Sequence, residues 1–248
     1  MKISIVGYGA MGQLVEQCAL ERKIEIGSII DPFQTAATHK SFSEESMAGI
    51  DVCVCFSQPD VAMENIKDIC QWKKQAVIAT TGWTDQMADV EKRVGDAGIG
   101  MVYSSNFSLG VNIFFKIIEK TSQIFDKFDV YDVFGYEAHH NRKMDSPSGT
   151  AVTLSNIILD NISRKEKVCE EKLDRKIEPN EFHFASMRGG NVPGTHAVLF
   201  DSDFDTIELK HTARNRLGFA NGSILAAQWI LDKKGMFTEA DMMNQLLP

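Results

Sequence analysis

Two patterns of apolar and polar residues alternate over the first part of the chain. Short apolar runs rich in β-branched residues are each followed by a stretch in which apolar residues recur at helical spacing. The predicted strands are Lys2–Val6, Ile24–Ile30, Asp51–Phe56, Gln75–Thr80 and Ile99–Tyr103, and the predicted helices are Met11–Arg22, Asp60–Trp72 and Asp85–Ala97. Strands and helices that alternate with short connections predict a doubly wound parallel sheet.

The pattern changes after position 107. The next predicted elements are helix Ser108–Phe125, strand Phe128–Tyr136, helix Ser148–Asn161 and, after a charged stretch, strands Glu181–Met187, Thr195–Asp201 and Phe204–Thr212. Strands in succession without helices between them predict an antiparallel or mixed sheet. A last amphipathic helix is predicted at Ser223–Lys234.

These elements predict an α/β chain with two interleaved domains. A Rossmann-type doubly wound parallel sheet is expected from residues 1–107 and 213–248, and an α+β domain with a mixed or antiparallel sheet is expected from residues 108–212, inserted in the first.

Composition narrows the class of protein. The chain has 248 residues, 44% of them hydrophobic and 24% charged, as is typical of globular proteins, and its formal charge of -8 argues against nucleic acid as a partner. It contains no long apolar run and begins directly with a strand pattern, so neither a membrane segment nor a signal peptide is predicted. Five cysteines without a C-x-x-C predict buried thiols in a reducing compartment, the cytoplasm. No histidine pair has metal-ligand spacing with a third ligand, so no metal site is predicted.

A glycine loop follows the first strand. Gly7-Tyr8-Gly9-Ala10-Met11-Gly12 is a G-x-G-x-x-G between a strand and a helix, and Asp31 ends the second strand. In such loops the glycines allow a tight turn, close approach of a pyrophosphate and close packing of helix on strand, while the acid binds the ribose hydroxyls. The loop and Asp31 therefore predict a site for NADH or NADPH.

Asp31 also bears on the choice of cofactor. A carboxylate at this position repels the 2′-phosphate of NADP, and the following residues Pro32, Phe33 and Gln34 offer no guanidinium to hold it. We therefore predict that NADH is used at least as well as NADPH.

A second cluster of candidate residues lies between Glu137 and Ala151. It holds the adjacent pair His139 and His140, followed by Lys143, and it ends in Ser148-Gly149-Thr150 at the predicted start of a helix. The amides and hydroxyls at a helix start can bind a carboxylate, and a histidine that titrates near neutrality can donate a proton. This cluster predicts a site for a compact dianionic substrate.

The same run resembles the signature of the 4-hydroxy-tetrahydrodipicolinate reductase family. That family's pattern is E-A-H-H-x-x-K-x-D-x-P-S-G-T-A, and this sequence matches it at every fixed position. Other segments resemble the family in the expected order, so that the resemblance covers essentially the whole chain: Ala79–Gly82, Ser105–Asn112, Arg188–His196 and His211–Trp229. The resemblance implies an NAD(P)H-dependent reductase of the diaminopimelate route to lysine, with a small cyclic dicarboxylate as substrate.

The resemblance also implies roles for individual residues. It implies that His139 is the general acid, and that Lys143 is a second proton donor that also contacts a substrate carboxylate. The implied further substrate-binding residues are His140, Ser148, Gly149 and Thr150. The implied cofactor-binding residues are Gly7, Tyr8, Gly9, Ala10, Met11, Gly12, Asp31, Ala79, Thr80, Thr81, Ser104, Ser105, Asn106 and Phe107. The family further implies that the inserted domain binds the substrate and joins copies of the chain into a homotetramer.

Three departures from the family pattern stand out. Ala10 replaces an arginine that can help hold the adenosine phosphate, which again favours NADH, and Ala79 replaces a glycine. The turn from Asn191 to His196 differs from the commoner acidic version, which leaves its role open.

Two other functions stay open at this point: a related dehydrogenase of a diamino acid or aspartate, and a non-catalytic nucleotide sensor on the same fold.

Overall fold

The computed structural model describes residues 1–247 and divides them into two units. The first unit comprises residues Met1–Leu109 and the segment from Arg216 onward, and the second comprises Gly110–Asn215. Among residues 1–247, no helix combines the length and the apolar character that crossing a bilayer requires.

A six-stranded parallel sheet is the centre of the first unit. Its strands are β1 (Lys2–Val6), β2 (Glu25–Ile30), β3 (Val52–Cys55), β4 (Gln75–Ile78), β5 (Gly100–Tyr103) and β11 (Gly235–Thr238), in the order β11-β5-β4-β3-β1-β2. The helices of this unit are α1 (Ala10–Glu21), α2 (Glu44–Met47), α3 (Ala62–Gln71), α4 (Met87–Ala97), α7 (Leu217–Trp229) and α8 (Glu239–Leu246), with short 3₁₀ turns at Pro59–Val61 and Thr84–Gln86. The central strands are buried throughout, as expected for a sheet covered on both faces. The predicted Rossmann-type sheet is confirmed.

The end of the chain differs from its prediction. Helix α7 begins at Leu217, six residues before the predicted Ser223, and ends at Trp229. Gly218 and Gly222 disfavour a helix, which is why the earlier start was not predicted. They are tolerated here because Gly222 packs directly on the carbonyl of Phe107. Strand β11 and helix α8 were not predicted, although the capping box from Thr238 to Asp241 at the start of α8 is visible in the sequence.

A five-stranded mixed sheet forms the second unit together with two helices. Its strands are β6 (Asp132–His139), β7 (Lys167–Cys169), β8 (Glu181–Arg188), β9 (Thr195–Asp201) and β10 (Thr206–Thr212), in the order β10-β9-β6-β8-β7. Strand β6 pairs antiparallel with β9 and parallel with β8, which confirms the predicted mixed sheet. The helices α5 (Leu109–Phe125) and α6 (Gly149–Asn161) contribute Phe114, Ile118, Leu154 and Ile158 to a core that includes Phe182, Phe184 and Phe200 of the sheet.

Strand β6 lies further along the chain than predicted. The expected strand was Phe128–Tyr136, but Phe128 and Val130 are exposed in the connection after α5, so their apolar character is not a strand signal. As a result, His139 is the last residue of a central strand rather than part of a loop.

Candidate active site

The three glycines of the loop after β1 have three different surroundings. Gly7 has a φ of +88°, and a Cβ added to it would lie 2.6 Å from the Phe56 carbonyl oxygen. A Cβ on Gly12 would overlap the Gly7 carbonyl, whereas a Cβ on Gly9 would meet no atom within 4 Å. Gly7 and Gly12 are therefore needed for the turn and the packing of α1, and the open space at Gly9 fits the close approach of a pyrophosphate to the first-turn amides of α1, which begins at Ala10.

Asp31 lies at the carboxyl end of β2, beside this loop. Its carboxylate accepts hydrogen bonds from the amides of Tyr8 (2.8 Å), Phe33 (2.9 Å) and Gln34 (3.0 Å). Burial opposes ionisation of Asp31, but the three amides outweigh it, so the pKa of this carboxyl falls below its usual value. The structure therefore places a negative charge at the carboxyl end of β2, beside the glycine loop.

A lysine that sequence reasoning did not consider approaches the same place. Lys40 Nζ donates a hydrogen bond to the Gln34 carbonyl (2.8 Å), and the neighbouring His39 forms a bridge with Ile30 of β2. No local motif points to Lys40, because only this pairing of a later segment with the end of β2 brings its ammonium group near Asp31. The structure thus places a cation near Asp31, although Pro32, Phe33 and Gln34, the residues that follow it, supply none.

The loops after β4 and β5 leave the sheet at the same edge. The buried Thr80 accepts a hydrogen bond from the Ser57 amide (3.0 Å), and Trp83 Nε1 donates to the Thr80 carbonyl (2.9 Å). Trp83 is almost fully buried, so it supports the loop from inside. Ala79 and Thr81 flank Thr80 and are partly or fully accessible.

Ser104 and Asn106 organise the segment after β5. Ser104 Oγ accepts from the Asn106 amide (2.9 Å), and Asn106 Oδ1 accepts from the Ser108 amide (2.9 Å), while Ser105 is exposed and Phe107 is buried. The residues that the resemblance assigns to the cofactor are thus together at the carboxyl edge of one parallel sheet, which is where such sheets bind their ligands.

Glu137 is the centre of the cluster in the second unit. It lies on β6, has no exposed surface, and accepts hydrogen bonds from the Ser148 amide (3.0 Å) and hydroxyl, from Ser186 Oγ (2.9 Å) and from Arg188 Nη2 (2.8 Å). Burial would raise the pKa of this carboxyl, but hydrogen bonds from His196, Ser148, Arg188 and Ser186 hold it far below its usual value. Glu137 is therefore a permanent buried anion.

His139 lies two residues further along β6 and therefore on the same face of the sheet. Its Nδ1 is 3.4 Å from Glu137 Oε2, and its ring meets the ring of His196 edge to face, with 5.0 Å between centroids. Burial lowers the pKa of His139 to about 4, Glu137 opposes this shift, and the nearby His196, Lys143 and Arg188 add to it. The free protein thus holds this histidine neutral, in contrast to the expected titration near neutrality.

The helix start at Ser148 is tied to Glu137. Ser148 is the N-cap of α6, its Oγ accepts from the Ala151 amide (3.2 Å), and both its own amide and its hydroxyl donate to Glu137. The amides of Gly149 and Thr150 belong to the first turn, which has no partners within the helix. Of the predicted anion-binding group, these two amides and the Thr150 hydroxyl can still donate to a ligand.

His140 and Lys143 lie on the turn between β6 and α6. Lys143 Nζ pairs with the carboxylate of Asp145 (2.8 Å), and the His140 amide donates to the Val192 carbonyl (2.8 Å). The turn from 189 to 194 packs beside this segment, and its Gly194 lies against His139, since a Cβ there would be 3.1 Å from His139 Nε2. The turn from 189 to 194, which overlaps the segment whose role the sequence left open, thus packs against His139 and His140.

Three residues of this cluster were missed as functional candidates: Glu137, Arg188 and His196. Glu137 and His139 alternate with the period of a strand, a signal that would have paired them had β6 been placed correctly. Arg188 and His196 reach the cluster only through the pairing of β8 and β9 with β6.

Potential metal ligands also meet in this cluster. Donor atoms of Glu137, His139 and His196 lie within 4.8 Å of one another, a grouping that spacing along the chain did not predict. The guanidinium of Arg188 already lies 2.8 Å from the same carboxylate, so a divalent cation would meet a cation next to its ligand. The arrangement fits a hydrogen-bonded charge cluster better than a metal centre.

Comparison with known proteins covers both units. The family model described as "Dihydrodipicolinate reductase, N-terminus" matches residues 1–107, and that described as "Dihydrodipicolinate reductase, C-terminus" matches residues 110–243. The 4-hydroxy-tetrahydrodipicolinate reductase of Christiangramia forsetii is 38% identical and covers 99% of each chain, and that of Chromobacterium violaceum is 36% identical over 80% of this chain and 75% of its own. The solved dipicolinate-bound dihydrodipicolinate reductase from Paenisporosarcina sp. TG-14 has a TM-score of 0.79 at 20% identity and covers 98% of this chain and 99% of its own, a likeness of fold.

Proposed function

Because the chain belongs to the dihydrodipicolinate reductase family, we propose that it reduces 4-hydroxy-tetrahydrodipicolinate to tetrahydrodipicolinate in lysine biosynthesis. The observation that carries the proposal is the match of both family models, in order, over nearly the whole chain. Two signature residues, His139 and Ser148, meet at Glu137, and Lys143 lies near enough to His139 to affect its pKa, which supports the proposal.

The nicotinamide cofactor, when bound, supplies the hydride. We assign its binding to the glycine loop, where Gly9 leaves open space, to Asp31 and to the loops after β4 and β5. Once the 4-hydroxyl has left as water, hydride addition to the resulting conjugated C=C–C=N system leaves negative charge on it, and His139, assisted by Lys143, is positioned to supply the compensating proton. The ammonium of Lys143, His140 and the first-turn amides of α6 hold the substrate carboxylates, and this positioning can lower the barrier by about 7 kcal/mol or more.

A spectrophotometric assay tests the reaction directly. NADH oxidation should depend on the condensation product of pyruvate and aspartate semialdehyde and should be absent when either precursor is omitted. Oxidation of diamino acids or aspartate, with no reduction of the cyclic substrate, would instead support a related amino-acid dehydrogenase. NADH binding with no dicarboxylate-dependent turnover would support the nucleotide sensor.

For the cofactor, we propose that NADH is used at least as well as NADPH. The ionised Asp31 opposes a 2′-phosphate, whereas Lys40 attracts one and keeps NADPH usable. A kcat/KM for NADPH more than tenfold above that for NADH would contradict this preference.

We also propose that the protein is a cytoplasmic homotetramer. The five cysteines are unpaired and four of them are buried, which suits a reducing compartment. One face of the mixed sheet packs on α5 and α6, while Phe134 and Met187 on the opposite face are exposed, which favours burial of that face against other copies of the chain.

A further inference from the structure

A buried carboxylate with a full set of donors faces the histidine to which we assign proton transfer. Glu137 accepts from Ser148, Ser186 and Arg188, and one of its oxygens, Oε2, lies 3.4 Å from both His139 Nδ1 and His196 Nε2. The reaction proposed above assigns no role to Glu137.

Neighbouring contacts define which atom of His139 carries the reactive proton. The Ser148 hydroxyl donates to Glu137 and is 3.1 Å from His196 Nε2, so it can accept the Nε2 proton of His196, which also faces Glu137 Oε2 at 3.4 Å. His139 Nδ1 has Glu137 Oε2 as its nearest acceptor, at 3.4 Å and without a hydrogen bond between them, and its Nε2 lies on the other side of the ring beside Gly194. With Nδ1 directed to Glu137, Nε2 is the ring nitrogen left to gain and release a proton.

The charges around His139 come from four directions. Glu137 faces it from β6, His196 from β9, Arg188 from β8 and Lys143 from the turn before α6. Glu137 is the anion in this set, while Lys143 and Arg188 oppose a second positive charge. Protonation of His139 near neutral pH is therefore favoured by Glu137 and by a further anion, which a dicarboxylate ligand provides.

We propose that Glu137 is a positioning residue through which His139 takes up a proton at Nε2 when a dicarboxylate binds. The inference rests on the proposed function in that this proton, drawn from solvent, is the one passed to the substrate after hydride transfer, leaving His139 neutral again. Substrate binding thereby charges the acid that the free protein keeps uncharged.

Proton uptake can be measured without turnover. Pyridine-2,6-dicarboxylate would be titrated into the full-length protein by calorimetry, from pH 5 to pH 8, in buffers of different ionisation enthalpy. We expect uptake of about half a proton or more per site near pH 6 in the wild type. Glu137→Gln should move the midpoint of the uptake curve down by about one pH unit or more, since an opposite charge at this distance shifts a pKa by that amount.

Two further variants separate charge from structure. Ser186→Ala removes one hydrogen bond to the same carboxylate but no charge, and should leave the midpoint near that of the wild type. Arg188→Met removes an opposing cation and should move the midpoint up, and this outcome tests the proposal even if Glu137→Gln does not fold.

Several results would overturn the inference. Binding of the dicarboxylate by the wild type with no proton uptake would do so, as would equal uptake curves for the wild type and folded Glu137→Gln, or an unmoved midpoint in Arg188→Met. Because none of these measurements involves NADH oxidation, a negative result here leaves the reductase assay to decide the proposed function separately.

Discussion

A buried neutral histidine is a poor proton donor until its surroundings change. His139 is held neutral by burial, and the cationic neighbours Lys143 and Arg188 keep it so. The same cations would attract a dicarboxylate, so in the proposed mechanism one set of residues binds the substrate, and the charge of the substrate then activates the acid. This coupling would protect the protein from carrying an unsatisfied imidazolium in its free form.

Substitution of the two proposed proton-transfer residues should separate chemistry from binding. His139→Gln should lower kcat by about 10²-fold or more with little change in cofactor affinity, because a positioned general acid contributes that much. Lys143→Ala should lower kcat and also raise the substrate KM, because its ammonium also contacts a carboxylate. Steady-state kinetics and NADH titration check both, and wild-type turnover by both variants would contradict the assigned roles.

The low pKa of His139 also predicts a pH dependence of stability. In the unfolded chain this histidine binds a proton near pH 6.5, but in the folded protein it does so only near pH 4. Unfolded molecules therefore bind more protons in this window, and stability falls as the pH is lowered from 6.5 to 4, by up to about 3 kcal/mol from this residue. Denaturant unfolding between pH 7 and pH 4 should show a smaller loss for His139→Gln, and equal slopes for the two proteins would contradict this assignment.

Substitutions of Lys40 and of Asp31 should have opposite effects on the binding of NADPH relative to NADH. Lys40→Met should weaken binding of NADPH by about tenfold and leave NADH nearly unchanged, since the 2′-phosphate alone would meet its ammonium. Asp31→Asn should improve NADPH relative to NADH because it removes the opposing charge. Fluorescence titration of each reduced cofactor checks both, with Lys23→Met, remote from this rim in sequence and exposed, as control. Equal losses for both cofactors in Lys40→Met would show that the lysine does not distinguish them.

Among the elements, α6 contributes most directly to both the fold and the candidate site, through the residue at its start. Its N-cap Ser148 both closes the first turn and supplies two donors to Glu137, so its hydroxyl has two functions at once. A strand and a helix are thereby locked together at the point where the proposed substrate carboxylate would bind.

The cost of removing this cap should exceed that of an ordinary one. Ser148→Ala should lower the free energy of unfolding by about 1 kcal/mol for the cap plus about 1–3 kcal/mol for the donor lost to a buried carboxylate. Thr238→Ala removes the capping side chain of α8, whose hydroxyl donates only to the exposed carboxylate of Asp241, and should cost only about 1 kcal/mol. Chemical denaturation compares the two, and similar losses would mean that the hydroxyl contributes little to Glu137.

Elements with strong local periodicity could be predicted from the sequence, and those defined by pairing could not. The strands and helices around the glycine loop have clear periods, and the fold followed from them. Strand β7 has three residues inside a charged stretch and exists because it pairs with β8, and β6 was displaced by Phe128 and Val130, which are apolar but exposed. The signature run was visible in the sequence, whereas Arg188 and His196 reach it only by strand pairing that no local pattern encodes. In the first unit, Lys40 comes near Asp31 in the same way, through the pairing of His39 with Ile30.

On the scale of the whole molecule, net charge says little about the ligands. The chain carries a formal charge of -8, yet the proposed cofactor and substrate are both anions. The binding that we propose would depend on local positive groups such as Lys143 and Arg188, and on helix N-termini that a charge count omits.

The open face of the mixed sheet provides the last prediction. Phe134 is partly exposed at the centre of that face on β6, and an apolar side chain at this position favours burial against another copy. Phe134→Glu would place a charge there and should dissociate the proposed tetramer into smaller species, because an unpaired charge is costly in a buried interface. Leu20→Glu on α1, also a change from an exposed apolar residue to an acid but in the first unit, is the matched control. Mass photometry at equal protein concentrations distinguishes the outcomes: a tetramer in the wild type and Leu20→Glu but not in Phe134→Glu is expected, whereas a monomeric wild type, or a tetramer that persists in Phe134→Glu, would show that this face does not join the subunits.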